Sequence, residues 1–154
     1  MAELPHYRTI LLATDGSEQA ALAARHALAL ARQTGAALEV VYVVDSHLAF
    51  RLGVLKDEAV RELTRDGQRA LQAVSEQARE AGVETETHLV EGRPGEDIVR
   101  ESEDLHADLI VIGSHGQGVV TDILLGSVSQ YVVHHARVPV CVVRPPPLRG
   151  QDDR

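Results

Sequence analysis

Short apolar runs alternate along this chain with longer segments in which apolar residues recur at helical spacing. Five runs have the length and β-branched content of strands, and they cover residues 7–14, 37–44, 83–90, 108–112 and 138–143. The third run alternates apolar and polar residues, so we expect it at an exposed edge of a sheet. Pro139 lies inside the fifth run, which places that strand at an edge or puts the proline at its start.

The segments between these strands carry apolar residues on one helical face and charged residues on the other. They predict helices over residues 18–34, 56–81, about 95–105 and about 128–136. Ser17 is the expected N-cap of the first helix, and Gly35 follows its last turn. Residues 46–55 fit neither pattern, and we expect a loop there.

The resulting βαβαβαβαβ order indicates an α/β fold with a parallel sheet covered on both faces. Right-handed crossovers then give a doubly wound sheet, which binds ligands at the carboxyl ends of its strands. We expect a single domain over residues 1–144. Residues 145–154, with three consecutive prolines at their start, are expected to form a disordered tail.

Composition and charge restrict the kinds of partner. The 154 residues carry a net charge of −8 and only 3% aromatic side chains. An acidic surface repels a phosphate backbone and few rings are available for base stacking, so we expect no nucleic-acid partner. No apolar run approaches the roughly 20 residues of a membrane span, and no signal peptide is visible. With one cysteine, the chain is expected to be soluble and cytoplasmic.

Glycines cluster directly after the fourth strand. Gly113, Gly116 and Gly118 leave backbone amides accessible, and Gly126 precedes a helix for which Ser127 is the expected N-cap, paired with Gln130 in a capping box. Free amides at a helix start stabilise an anion such as phosphate. The same residues also suit a plain glycine-rich turn followed by an ordinary helix cap. Neither the Walker A pattern nor the Rossmann fingerprint is present.

The spacing Gly113-x2-Gly116-x9-Gly126-Ser127 is the G-x2-G-x9-G-[ST] motif of the ATP-binding branch of universal stress proteins. With ILLATDGSE at residues 10–18 and EGRPGEDIV at residues 91–99, the chain resembles that family over residues 7–143. The resemblance implies a five-stranded parallel sheet in the order 3-2-1-4-5 with helices on both faces. It also implies binding of ATP with Mg²⁺ or Mn²⁺, and a homodimer formed through the fifth strand.

The resemblance further implies a set of site residues. Asp15 would contact the nucleotide and the metal, although an acid there also suits a helix start. Val43 would contact adenine through its backbone, or serve only as core. The full set is Ala13, Asp15, Val43, Ile112, Gly113, Gly116, Gly126, Ser127, Val128 and Ser129, the last six for phosphate and ribose. Many relatives have Arg or Lys where this chain has Gln117, which makes a divalent cation more important.

A nucleotide-dependent sensor or regulator of the stress response is the function that the resemblance implies. The alternatives are a slow ATPase or autophosphorylating enzyme, and an interaction module that binds no nucleotide. Phosphoryl transfer requires cationic stabilisers, and this segment offers few. Asp45 and His47 are further candidates for the rim of the pocket. His134 and His135 are adjacent on a helix and point apart, so they make a poor chelate.

Overall fold

The computed structural model describes residues 2–51, 56–116 and 125–146. Strands and helices alternate along these residues as the sequence predicts, with one additional short helix, α2. The elements are β1 Thr9–Ala13, α1 Glu18–Thr34, β2 Ala37–Asp45, α2 Ser46–Arg51, α3 Lys56–Ala81, β3 Thr85–Gly92, α4 Pro94–Asp104, β4 Leu109–Gly113, α5 Ser127–His135 and β5 Val140–Val143.

The five strands form one parallel sheet in the order β3-β2-β1-β4-β5. This confirms the expected α/β class and strand order. In the central strand β1, Leu11 is fully buried and pairs with Glu39 on one side and Ile110 on the other. The alternating strand β3 and the proline-preceded strand β5 lie at the two edges, where the sequence pattern placed them.

Each face of the sheet is covered by a separate aliphatic core. On one face, α1 and α3 pack side chains such as Ala27 and Leu71 against alternate residues of the sheet. On the other face, α4 and α5 contribute Ile98 and Val132. Small alanines along α1 allow that helix to approach the sheet closely, which suits a chain with few aromatic residues.

Local capping explains where α1 begins and ends. The Ser17 hydroxyl accepts a hydrogen bond from the Ala20 amide at 3.2 Å, which confirms Ser17 as the N-cap. Gly35 follows the helix with φ of 75°, a left-handed conformation that disfavours residues with a Cβ atom. The helix therefore starts at the carboxyl end of β1 and stops at the opposite end of the sheet.

Two sequence predictions were wrong. The expected loop over residues 46–55 contains the helix α2. The Asp45 carboxylate caps the start of this helix by accepting a hydrogen bond from the Leu48 amide at 2.9 Å. Residues 52–55 lie outside the described residues. Ser127 is the first residue of α5 and not its N-cap. Gly126 takes that position in an extended conformation, and no side chain of residues 2–51, 56–116 or 125–146 caps the helix.

The other boundaries differ by a few residues. The third strand spans Thr85–Gly92 and not residues 83–90, a shift of two positions that keeps each side chain on its predicted face. Residues 144–146 have no helix or strand, and the rest of the expected tail, residues 147–154, lies outside the described residues. Among the described residues, no helix has both the length and the apolar character needed to cross a membrane.

Candidate functional site

A cavity of about 410 Å³ opens at the carboxyl ends of β1, β2 and β4. This volume is within the range of small-molecule sites. Every residue of the predicted set lines it: Ala13, Asp15, Val43, Ile112, Gly113, Gly116, Gly126, Ser127, Val128 and Ser129. The sheet therefore brings together residues from four separate segments, which span more than a hundred positions of the chain.

One wall of the cavity is apolar. Ala13 and Ile112, which are 5% and 6% exposed, are among the β1 and β4 residues that form it, and Val43 and Val41 contribute from β2. Ile98 of α4 also lines it, although sequence reasoning did not select this residue. A flat heteroaromatic ring can be desolvated against such a wall.

The turn between β1 and α1 holds the carboxylate of Asp15 at the cavity. The Asp15 side chain accepts a hydrogen bond from the Ser17 amide at 3.0 Å, and the Thr14 hydroxyl accepts from the Gly16 amide at 3.2 Å. The Asp15 carboxylate lies against Gly116 so closely that a Cβ atom on that glycine would overlap it. Asp15 and the glycine segment are therefore direct neighbours, as the resemblance implied.

The segment after β4 is fastened to α1 through Gln19. The Gln19 side-chain oxygen accepts from the His115 amide at 3.0 Å and, at 3.4 Å, from the hydroxyl of Ser114, which is 1% exposed. The Ser114 amide donates to Val143 of β5 at 2.9 Å. Bonds to elements on both sides thus hold the start of the glycine segment in place.

The start of α5 closes the other side of the cavity. The Gly126 amide and the Ser129 hydroxyl both donate to the Ser114 carbonyl, at 2.8 Å and 2.7 Å, and join the two ends of the glycine segment. Ser129 is 2% exposed, so its proton is used within the protein, whereas Ser127 is an exposed residue of the cavity lining. No side chain in the described part of the chain caps α5, so among these residues the amides of its first turn have no side-chain acceptor.

The cavity is acidic and not basic. Asp15, Asp45 and His115 are its titratable lining residues apart from Tyr42, and the described lining residues include no Lys or Arg. Burial raises the pKa of Tyr42 above its ordinary value of 10.0, and the charges of Asp66 and Asp15 raise it further. Gln117 and Gly118 lie outside the described residues.

Of the two residues expected at the rim of the pocket, Asp45 and His47, only Asp45 is among the cavity lining. Asp45 lines the cavity, whereas His47 is exposed and its Nε2 accepts from the Arg93 side chain at 2.9 Å. Tyr42, Leu48 and Leu63 also line the cavity. No sequence motif marks these three residues, and their position follows only from the packing of α2 and α3 beside β2.

The fold and this cavity define a doubly wound α/β domain with an open cavity at the carboxyl ends of its strands, beside the start of a helix. The model of the universal stress protein family matches residues 6–144. The chain is 39% identical over 142 residues to universal stress protein MJ0531 of Methanocaldococcus jannaschii, covering 91% of this chain and 84% of that protein. This chain belongs to the universal stress protein family.

Solved structures have the same fold. Hypothetical protein MJ0577 of the same organism gives a TM-score of 0.83 at 29% identity, covering 94% of this chain and 100% of that one. A universal stress protein in complex with cAMP gives 0.68 at 25% identity, with coverage of 91% and 98%. The Archaeoglobus fulgidus protein in complex with dAMP gives 0.61 at 27% identity, with coverage of 90% and 98%.

Proposed function

We propose that this chain binds ATP in the cavity at the carboxyl ends of β1, β2 and β4, and acts as a nucleotide-dependent sensor or regulator in a stress response. One observation carries the proposal: the first turn of α5, which no side chain of the described residues caps, opens onto the same cavity as an apolar wall and the Asp15 carboxylate. These three features suit phosphate, base and metal respectively.

The part of the cavity that we assign to phosphate is formed by backbone atoms at the start of α5. A helix start carries about half a positive charge, which stabilises a phosphate placed against its free amides. A Cβ atom on Gly126 would lie 3.3 Å from the Cα atom of His115, so a side chain there would require the neighbouring backbone to shift by a few tenths of an ångström. The amides of Ser127 and Val128 are the donors that we assign to the phosphates.

The base side is apolar and supports adenine. We assign Ala13, Val43 and Ile112 to the base, with the backbone of Val43 supplying a polar contact. The two similar structures described above as nucleotide complexes hold cAMP and dAMP, which are both adenine nucleotides. Both come from proteins with this fold, which supports an adenine nucleotide over other phosphorylated ligands.

The proposal of a bound divalent cation rests on the negative charges of the cavity lining. A triphosphate entering this cavity meets Asp15 and Asp45, and no Lys or Arg stands among the described lining residues. Mg²⁺ or Mn²⁺ would offset the phosphate charge, and a carboxylate such as that of Asp15 is a suitable oxygen ligand for either ion. We therefore expect nucleotide affinity to depend on a divalent cation.

A binding role is favoured over an enzymatic one by the same residues. Rapid phosphoryl transfer needs a placed nucleophile and cationic groups that stabilise the transferred phosphoryl. Ser127 is exposed at the start of α5, but the described part of the cavity places no cationic side chain opposite it. We expect turnover, if measured, to stay below about 1 per second.

Isothermal titration calorimetry tests the binding proposal. Full-length protein freed of co-purified nucleotide is titrated with ATP, with GTP and with adenosine, each with and without Mn²⁺. We expect ATP to bind more tightly than GTP, because the apolar wall fits adenine, and more tightly than adenosine, because the α5 amides hold phosphate. The absence of ATP binding under all of these conditions would overturn the proposal.

The role of Asp15 is tested separately with Asp15→Asn. If its carboxylate holds the metal, this variant loses the gain in ATP affinity that Mn²⁺ gives the original protein. Asp45→Asn is the matched control, because Asp45 lines the same cavity but is engaged in capping α2. An unchanged Mn²⁺ effect in Asp15→Asn would remove Asp15 from the metal site while leaving nucleotide binding intact.

We also propose that two copies pair through β5. This strand lies at an edge of the sheet and has β4 on one side only. Val140, Cys141 and Val142 are partly exposed there and present an apolar surface. Light scattering on a size-exclusion column should give the mass of two chains, and the mass of one chain at micromolar concentration would contradict this pairing.

A further inference from the structure

Three side chains of metal-ligating types meet on the sheet outside the residues that line the cavity. They are Glu39 of β2 and Glu86 and His88 of β3, and one ligand atom from each lies within 4.8 Å of the other two. The Nε2 atom of His88 lies 2.6 Å from Oε2 of Glu39. No motif joins these residues, because Glu39 is 49 positions from His88 in the chain.

The strand register explains why the three side chains meet. Glu39 pairs directly with Glu86 across the parallel ladder, and Val41 pairs with His88. Residues two apart in a strand project from the same face, so Glu86 and His88 flank Glu39 on one side of the sheet. Because β2 and β3 are held by a continuous ladder, the backbone of the cluster is already in place.

The cluster is partly protected from solvent. The side chains of His88 and Glu39 are 24% and 15% exposed, while Glu86 is exposed. Two donors are therefore partly desolvated, and one side of the cluster remains open to water. None of the three residues lines the cavity, but Val41, which does, is two residues from Glu39 along β2 and pairs with His88.

The two neighbouring carboxylates of the cluster would be stabilised by a bound cation. Like charges directly opposite each other on neighbouring strands are destabilising, and Glu39 and Glu86 are such a pair. A divalent cation held between the two carboxylates would offset the charge of both. An imidazole together with carboxylates suits Zn²⁺ and related first-row metals, whereas Mg²⁺ and Ca²⁺ prefer oxygen ligands alone.

We propose that Glu39, Glu86 and His88 bind a divalent first-row transition-metal ion of the Zn²⁺ class, with solvent in the remaining coordination position. Zn²⁺ bonds to nitrogen and oxygen of about 2.1 Å put tetrahedral ligand atoms about 3.4 Å apart. The present separations, 2.6 Å between His88 Nε2 and Glu39 Oε2 and at most 4.8 Å among the three atoms, lie on both sides of that spacing. The ion would join the edge strand β3 to β2.

The test is a calorimetric titration of chelator-stripped, nucleotide-free full-length protein with ZnCl₂. We expect one tight site per chain and a rise in the thermal unfolding midpoint when it is filled. His88→Gln and Glu86→Gln should each weaken this site at least about tenfold, since even the loss of an indirect ligand partner has that effect. Glu86 is exposed, so its substitution leaves the fold intact.

His26→Gln is the matched control, because His26 is an exposed histidine on α1 outside the cluster. It should leave Zn²⁺ affinity and stoichiometry unchanged. Spectra of the Co²⁺-loaded protein give a second readout: we expect the visible bands of a low-coordinate site with nitrogen and oxygen ligands, and their loss in His88→Gln. The ATP titration described above should be unaffected in each variant, which keeps this site and the nucleotide site separable.

Two results would overturn the proposal. One is Zn²⁺ binding of the same affinity and stoichiometry in His88→Gln as in the original protein, which would assign the ion to other histidines. The other is the absence of tight Zn²⁺ binding to the original protein, whatever the unfolding midpoint of His88→Gln. That result would make the Glu39–His88 contact a structural hydrogen bond only.

Discussion

Gly116→Ala is the substitution for which the structure makes the sharpest prediction. The added Cβ atom would overlap the Asp15 carboxylate, which must rotate away because the backbone around Gly116 cannot move as easily as one side chain. Rotation breaks the hydrogen bond from the Ser17 amide to Asp15, now 3.0 Å long. For a partly exposed acceptor this costs about 1 kcal/mol, a small part of the roughly 5–15 kcal/mol that stabilises a folded domain.

Nucleotide binding should be affected more strongly than folding. Displacement of Asp15 removes a charged contact worth about 1.5–3 kcal/mol, which corresponds to roughly a ten- to hundredfold loss of ATP affinity in the presence of Mn²⁺. Calorimetric titration measures the affinity, and urea denaturation measures the stability. Gly35→Ala is the control, since its left-handed φ of 75° costs about 1–2 kcal/mol at a position with no neighbouring atom within 4 Å and remote from the cavity.

The outcome that refutes this reasoning is ATP affinity in Gly116→Ala equal to that of Gly35→Ala at comparable stability. A double substitution examines the cause. In Asp15→Ala the obstructing carboxylate is absent, so adding Gly116→Ala to it should produce little further loss. Fully additive losses would show that the two residues act independently and that their contact does not control binding.

Three further outcomes follow from buried groups. Asp97→Ala should lower the free energy of unfolding by about 2 kcal/mol in urea titrations, because the 6% exposed carboxylate accepts from the Arg93 amide at 2.7 Å; no loss would contradict this. The raised pKa of Tyr42 contributes stability that is complete below pH 10 and declines as pH rises through the folded-state pKa, so Tyr42→Phe should be less sensitive to alkaline pH in thermal melts. If the melting temperature of Tyr42→Phe depends on pH in the same way as that of the original protein, Tyr42 is not the cause of the alkaline loss of stability. Gly67→Ala gains about 1 kcal/mol of helix propensity but places a Cβ atom 2.7 Å from the buried Tyr42 ring, so we expect net destabilisation by about 1 kcal/mol, and an increase in stability would show that the ring yields.

Much of the fold could be predicted because its signals are local. The alternation in β3 and the proline before β5 placed both strands at edges, and Ser17 and Gly35 marked the ends of α1. The helix α2 was missed because its cap is the side chain of Asp45, which also ends a strand. Ser127 was misassigned because a serine before Gln130 resembles a capping box, whereas Gly126 already provides the extended residue before the helix.

The candidate site was predictable only where a motif names its residues. The glycine spacing and Asp15 led to the cavity, but no motif marks Tyr42 or Leu63, and Ile98 lies in the quoted segment EGRPGEDIV without having been selected as a site residue. Glu39 and His88 meet through strand register, which a single sequence does not reveal. The positions of these residues are therefore set by packing between distant segments, which local sequence patterns do not encode.

Gln19 connects the start of α1 to Ser114 and His115, the residues that follow β4 beside the cavity. It belongs to the first turn of α1, yet its side-chain oxygen accepts from Ser114 and His115 of the segment beside the cavity. Local opening at Ser114 and His115 has to release these bonds, so we expect these two residues and the first turn of α1 to open together. Their amides should exchange with deuterium at similar rates, and Gln19→Ala should separate those rates.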